Sequence, residues 1–241
     1  MKILVVTTFN DKLYKEYAHR FLETYNWSFD LNVYLENSNL WHTKHKYLDL
    51  LKEVPECLQF VERNKNRMNG KNAIEKYWQD GVRFCYKVYS YTHAILNCKD
   101  YDGIIGIDAD SVFYKTIDVE WIKQHIHRDD CMMSYLGRGN QYSETGFLYW
   151  NLNHKDTKDY ARVMKDLYNT DHIYNLKEQH DSFIWDYARK KFEDERRTKN
   201  HNLGDNRPGH VQARSILGTV YDHTKGPKRK EKGRSPEARV K

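Results

Sequence analysis

Proline, glycine and cysteine are scarce in this chain: four prolines, 12 glycines and four cysteines among 241 residues. With so few prolines and no serine- or glycine-rich stretch, nothing marks a linker between two folding units, and one sizeable core is expected. Long apolar runs are missing too. Hydrophobic residues make up 39% of the chain, and no stretch approaches the roughly 20 apolar residues that a membrane-spanning helix needs. The opening run Ile3-Leu4-Val5-Val6 is too short for a secretory signal and reads as a first strand. Cys57, Cys85, Cys98 and Cys131 form no Cys-x-x-Cys pair and no metal-like spacing. That excludes a disulfide framework and points to buried free thiols in a reducing, cytoplasmic setting.

Charge of one sign is lacking over most of the length. The formal net charge is +6, and residues 225–241 hold eight Lys and Arg against only Glu231 and Glu237. The whole basic excess therefore lies in a C-terminal tail. Besides a solvated charge run, such a tail fits a clamp on a diphosphate, an arm for nucleic acid or an anionic membrane surface. Aromatic residues are plentiful at 14%, enough to supply both core and platforms for stacking on sugar faces.

The most informative stretch is Gly103-Ile104-Ile105-Gly106-Ile107-Asp108-Ala109-Asp110, a short β-branched run that stops at two carboxylates. It reads as a buried strand, and parallel sheets place ligands at the carboxyl ends of such strands. In an extended segment, side chains at i and i+2 point the same way roughly 6–7 Å apart, so two carboxylates there repel by about 2–3 kcal/mol. A divalent cation removes that cost. Hard oxygen ligands suit Mg²⁺ or Mn²⁺, which complete their shells with water and substrate phosphates. The implied substrate is a phosphate or diphosphate ester. Read without further context, the aspartates also serve as turn residues or helix caps.

Along the chain, residues 2–7 and 31–35 read as strands and 13–25 as an amphipathic helix with Leu13, Tyr17, Phe21 and Leu22 on one face. Helical spacing runs over 41–66, broken at Pro55, and over 73–96, leading into the Asp-x-Asp strand. Beyond it, 119–126, 157–168 and 181–191 read as helices, and 131–135 and 146–151 as strands. The alternation predicts an α/β fold with a mostly parallel central sheet flanked by helices.

With Asp108-Ala109-Asp110 placed mid-chain, four other segments resemble those of the GT-A fold glycosyltransferases, in particular family 8, the glycogenin and lipopolysaccharide galactosyltransferase group. Thr7-Thr8-Phe9-Asn10-Asp11-Lys12-Leu13-Tyr14 is similar, with one residue inserted, to that family's Thr-Thr-Asn-Asp-x-x-Tyr segment. The resemblance assigns Thr7, Thr8, Asn10 and Tyr14 to the base and ribose of a sugar nucleotide, with Tyr14 stacking on the base. Arg83 and Lys87 resemble the basic residues that the family places ahead of its Asp-x-Asp, on which Ala109 also faces the donor. Glu144-Thr145-Gly146 resembles the start of a strand facing the donor sugar, with Glu144 where the family has asparagine. Residues 179–186 look like the region beside the anomeric carbon and nominate Asp181, whose other reading is the cap of the following helix. Finally, Asp222-His223-Thr224-Lys225-Gly226-Pro227-Lys228-Arg229 resembles His-x-x-Gly-x-x-Lys, with Arg229 in the lysine place.

What this implies is a GT-A catalytic domain over 1–224 and a tail over 225–241 that closes on the donor diphosphate. The resemblance gives Asp108, Asp110 and His223 as ligands of Mn²⁺ or Mg²⁺, with Gly226, Lys225, Lys228 and Arg229 near the phosphates. The implied reaction moves a sugar from a nucleotide diphosphate donor, expected to be a UDP-sugar, to a carbohydrate or other hydroxyl acceptor with retention. The tail is expected to be mobile without donor and ordered with it. Two alternatives stay open. Haloacid-dehalogenase-like phosphatases also carry an apolar strand ending in Asp-x-Asp and would use Asp108 as nucleophile, although there the motif usually opens the chain. An α/β scaffold using the tail on nucleic acid is the other, although paired carboxylates would repel its phosphates.

Overall fold

A computed structural model of the chain describes residues 1–40, 44–67 and 76–238. The strands are β1 (Ile3–Phe9), β2 (Asp30–Leu35), β3 (Lys46–Asp49), β4 (Gly103–Ile107), β5 (Ser111–Phe113), β6 (Met133–Arg138), β7 (Gln141–Asn151), β8 (His201–Asn202) and β9 (Tyr221–His223). Seven of them form one sheet in the order β3-β2-β1-β4-β7-β6-β8, and β5 pairs with β9 in a second. β1, β2, β3 and β4 are mutually parallel, β7 runs antiparallel to both β4 and β6, and β8 is parallel to β6. The α/β class and the mostly parallel sheet are as the sequence predicts.

Strand alternation divides the core in two. Leu4 and Val6 of β1 and Leu148 and Trp150 of β7 join one apolar layer; Ile3, Val5, Phe147 and Tyr149 join the other. This is the period of two expected of a sheet covered on both faces. Helices Gly81–Asn97, Thr157–Asn169 and Asp181–Arg196 cover the first face through Val88, Tyr160 and Trp185, while residues 11–24 and helix Val119–His125 cover the second through Phe21 and Ile122. Among the described residues no helix is long and apolar enough to cross a membrane.

Three local readings change. Part of the helical span over 41–66 is the edge strand β3, because Lys46-Tyr47-Leu48-Asp49 also alternates and pairs with β2; positions 41–43 lie outside the described residues. The helix read over 73–96 starts at Gly81, where the Asp80 carboxylate accepts from Arg83 N–H at 3.0 Å. Residues 73–75 again lie outside the described part. The segment 11–24 carries a π turn at Tyr14–Ala18, a distortion common beside functional sites.

Chain order then fixes where ligands fit. β2 and β3 extend the sheet on one side of β1, and β4 returns to its other side, so connections diverge at the carboxyl ends of β1 and β4. Open α/β sheets bind ligands at such a crevice. β4 itself is crowded: a Cβ on Gly106 would lie 2.5 Å from Cε2 of Tyr91. Gly106→Ala is expected to destabilise the fold by about 1–3 kcal/mol through overpacking, measured by urea denaturation.

Candidate active site and metal centre

β4 ends at Ile107, and residues 109 and 110 turn. Asp108 and Asp110 therefore do not lie side by side on an extended segment, as the sequence suggested, but spread around a third side chain. That side chain is His223, brought over by β9. The ladder Ser111↔His223, Val112↔Asp222, Phe113↔Tyr221 fixes its position, and Thr224 extends it by donating through N–H and Oγ1 to Asp110 O at 2.8 and 2.7 Å. His223 Nε2 lies 3.0 Å from Asp110 Oδ1 and 3.6 Å from Asp108 Oδ2. Gly146 makes room for the ring: a Cβ there would be 2.4 Å from His223 Nδ1.

The ligating atoms of Asp108, Asp110 and His223 all lie within 4.8 Å of one another. Two carboxylates and an imidazole suit a divalent cation that accepts oxygen and nitrogen. Behind the ring, buried Glu144 lies 3.6 Å from Nδ1, which has no hydrogen-bond partner; a carboxylate there is the usual way to orient a ligand histidine. Ammonium groups already sit on both aspartates, Lys230 Nζ at 2.9 Å from Asp110 Oδ2 and Lys87 Nζ at 2.6 Å from Asp108 Oδ1. The donor set thus fits a cation. Burial works against ionising Asp110, yet His223 and Lys230 overcome it and hold that carboxyl well below its usual range.

Lys87 is the second centre. Its ammonium also donates to Asp181 Oδ2 at 2.8 Å and to Thr145 O at 2.7 Å, and Thr145 Oγ1 donates to the same Asp181 oxygen at 2.7 Å. Burial opposes the charge on Lys87, but Asp108 and Asp181 raise its pKa well above the ordinary lysine value. Burial likewise disfavours ionised Asp181, and Lys87 and Thr145 more than compensate, so it is held far below the usual carboxylate range. Asp181 is the first residue of its helix; the cap position belongs to His180.

These groups open on a cleft of about 510 Å³, also lined by Thr8, Asn10, Tyr17, Glu36, Arg83, Phe84, Ala109 and Lys230. Of the residues nominated from sequence, Thr8, Asn10, Arg83, Lys87, Asp108, Ala109, Asp110 and Asp181 line it together, and His223 and Gly146 stand directly behind. Others lie elsewhere. Thr7 is fully buried in β1, and Tyr14 stacks on Phe9 at 6.1 Å rather than lining the cleft. Glu144 faces His223 instead of the cleft, with its pKa down to about 2 because Lys225, His223 and Arg138 outweigh its burial. Lys225 is engaged by Glu144 at 3.0 Å, Arg229 by Glu237, and Lys228 is exposed. Gly226, at φ 86°, turns the chain into helix Pro227–Lys232, and that helix presents Lys230 to the cleft. Its ammonium rests 4.0 Å over the Tyr17 ring while its carbonyl accepts from Arg20.

No family model matches the sequence, and no curated protein matches it. Two glycosyltransferases are among the solved structures similar to this chain. Mouse xyloside xylosyltransferase 1, in its apo form, is 13% identical, with a TM-score of 0.48 over 85% of this chain and 86% of that one. A glycosyltransferase involved in the glycosylation of the major capsid of PBCV-1 is 12% identical, with a TM-score of 0.47 over 96% of this chain and 100% of that one.

Glu36, absent from the sequence reading, joins the β1 end of the cleft. It follows β2 directly, as Asp108 follows β4, and the same rule of carboxylates at strand ends finds it. Its oxygens accept from Thr8 Oγ1 at 3.0 Å and Asn10 Nδ2 at 3.2 Å. Burial pushes its carboxyl from 4.5 up to about 7, against the pull of those two bonds. Between these values the folded chain keeps a proton that the unfolded chain has lost, so this group makes stability fall as pH rises across the window. Glu36→Gln removes the effect. Its melting temperature relative to the parent is expected to climb from about pH 4.5 to about pH 7 and then level off; parallel melting curves at every pH would contradict this.

Proposed function

We propose that the chain is a glycosyltransferase that moves a sugar from a nucleotide diphosphate donor to a hydroxyl acceptor with the help of a divalent cation. The observation that carries this reading is the convergence of Asp108, Asp110 and His223 at a cleft, directly beside the Lys87–Asp181 pair, whose ammonium also contacts Asp108. When bound, the cation would supply positive charge to the departing diphosphate. Mn²⁺ suits the mixed oxygen and nitrogen donors, and a UDP-sugar is the donor assigned by resemblance. Thr8, Asn10 and Glu36, at the end of β1 and β2, would meet the nucleoside. Of the cations that line the cleft, Lys12, Arg83, Lys87 and Lys230, Arg83 and Lys230 would meet the phosphates. The basic tail, residues 225–241, belongs to this reading as the segment that closes on the diphosphate, with residues 1–224 as the catalytic domain; 239–241 lie outside the described part.

The state of Asp181 supports retention. With one oxygen held by both Lys87 and Thr145 and a strongly lowered pKa, it is a weak base and a poor candidate to take the acceptor proton. A fixed negative charge beside the anomeric carbon instead stabilises the positive charge that develops there. The four unbonded cysteines are the ground for keeping a cytoplasmic setting in the same proposal.

The reading is tested by screening nucleotide sugars for Mn²⁺-dependent hydrolysis. Mn²⁺ is expected to tighten nucleotide diphosphate binding in the parent, and Asp110→Ala to abolish that enhancement in titration calorimetry; equal binding with and without chelator would sink the metal site. Asp181→Asn is expected to lower turnover at least about a hundredfold with donor affinity near that of the parent, because the lost interaction acts mainly in the transition state. Normal turnover in a less stable protein would reduce Asp181 to a structural partner of Lys87.

A further inference from the structure

The acceptor side of the cleft is not assigned by anything above, yet one wall continues out of it as a row of rings. Phe84 lines the cleft and lies 6.3 Å from the His180 ring, centroid to centroid. His180 directly precedes Asp181 and lies 5.3 Å from Tyr142, which lies 5.2 Å from Phe183, itself stacked at 6.2 Å on Tyr187. All of these but His180 are partly exposed. The last three enter a second cavity of about 400 Å³. Isolated surface rings need no explanation, but a chain of touching rings that joins a reaction cleft to a separate cavity, partly exposed at every position but His180, is a different feature.

Polar groups flank the row. Glu178 accepts from Tyr142 Oη at 3.0 Å and faces His180 Nε2 at 2.8 Å, which sets the position of both rings. The second cavity is lined by Tyr142, Phe183 and Tyr187 together with exposed Lys190 and Asp194. Ring faces carry negative partial charge and attract polarised C–H groups, while charged side chains of either sign hydrogen-bond hydroxyls. A ligand that offers an apolar C–H face and a hydroxyl edge at every unit along its length matches both. An extended polypeptide does not repeat that pattern, and Lys190 and Lys191 share the second cavity with Asp186, Asp194 and Glu195, a mixture of signs that does not favour a polyanion such as nucleic acid.

We infer that the row from Phe84 to Tyr187 is an acceptor groove for an oligosaccharide, whose terminal sugar presents a hydroxyl beside Asp181 while units further along lie over Tyr142, Phe183 and Tyr187. The inference rests on the glycosyltransferase reading for the role of the bound glycan, but the binding itself can be measured alone. The full chain, without donor, is applied to a printed glycan array, and the strongest hit is titrated by calorimetry. The same protein is assayed for Mn²⁺-dependent hydrolysis of its donor in the absence of acceptor. Tyr142→Ala and Tyr187→Ala are each expected to weaken glycan binding about tenfold with unchanged donor hydrolysis and melting temperature. Tyr187→Phe, which keeps the ring, is expected to bind like the parent.

If no glycan binds, or if the alanine variants bind as the parent does, the groove is overturned while intact donor hydrolysis leaves the enzyme reading standing. Ring-dependent glycan binding without hydrolysis of any nucleotide sugar supports the groove and overturns the donor chemistry. A loss of melting temperature in the alanine variants is resolved by Tyr187→Phe: if that variant folds normally and still loses binding, the stacking role fails.

Discussion

The cleft depends on one buried ammonium. Lys87 comes from the helix ahead of β4, yet it touches the carboxylate that ends β4, a carbonyl on β7 and the first residue of helix Asp181–Arg196. Burying a lone charge is prohibitive, and removing one partner of a buried pair costs about 3–5 kcal/mol. The lysine is therefore tolerated only while all its acceptors are in place, which makes it a gauge of whether four separate segments have docked correctly. It also bears on the character of Asp181. An oxygen already accepting from an ammonium and a hydroxyl has little basicity left, which is why the proposed role of this carboxylate is one of charge and position rather than proton transfer.

The same matching extends across the site. Asp110 has Lys230, Glu144 has Lys225 and Arg138, and Asp108 and Asp181 share Lys87. Acidic groups that would otherwise repel one another are thus neutralised by the chain itself. The tail takes part through different residues from those its motif suggested. Lys225 and Arg229 are engaged with glutamates, while Lys230 leans over Tyr17 into the cleft. A cation at Asp110 is supplied in this arrangement by the protein, the Lys230 ammonium, so the charge of that carboxylate is already balanced.

Much of this was legible in the sequence because it is written in local pattern. Short apolar runs mark β1, β4 and part of β7, alternation marks β2, and amphipathic spacing marks the long helices. The abrupt stop of the β4 run at Asp108 marked the edge where ligands gather. What local pattern could not show was pairing between distant segments. β3 was hidden because four alternating residues beside a helix look helical until a neighbouring strand claims them. Glu144 was misread for a related reason: its strand was recognised, but the side of the strand on which it lies depends on where His223 packs. Glu36 and Tyr17 reach the cleft only through the placement of β2 beside β1 and through a π turn, neither of which composition announces. The turn at 109–110, too, follows from the need to close around a histidine supplied from far along the chain.

That histidine has a consequence for how the molecule comes into being. Asp110 and Thr224 are 114 residues apart, and the short ladder between β5 and β9 is what joins them. Chains emerge from synthesis amino end first and fold as they do so, so the parallel half of the sheet, with both aspartates, is complete long before β9 exists. The nascent protein passes through a stage in which both aspartates have been made but His223 has not. The Asp108–Asp110–His223 cluster can therefore close only once β9, which lies far downstream of β5, has been synthesised and sealed the ladder.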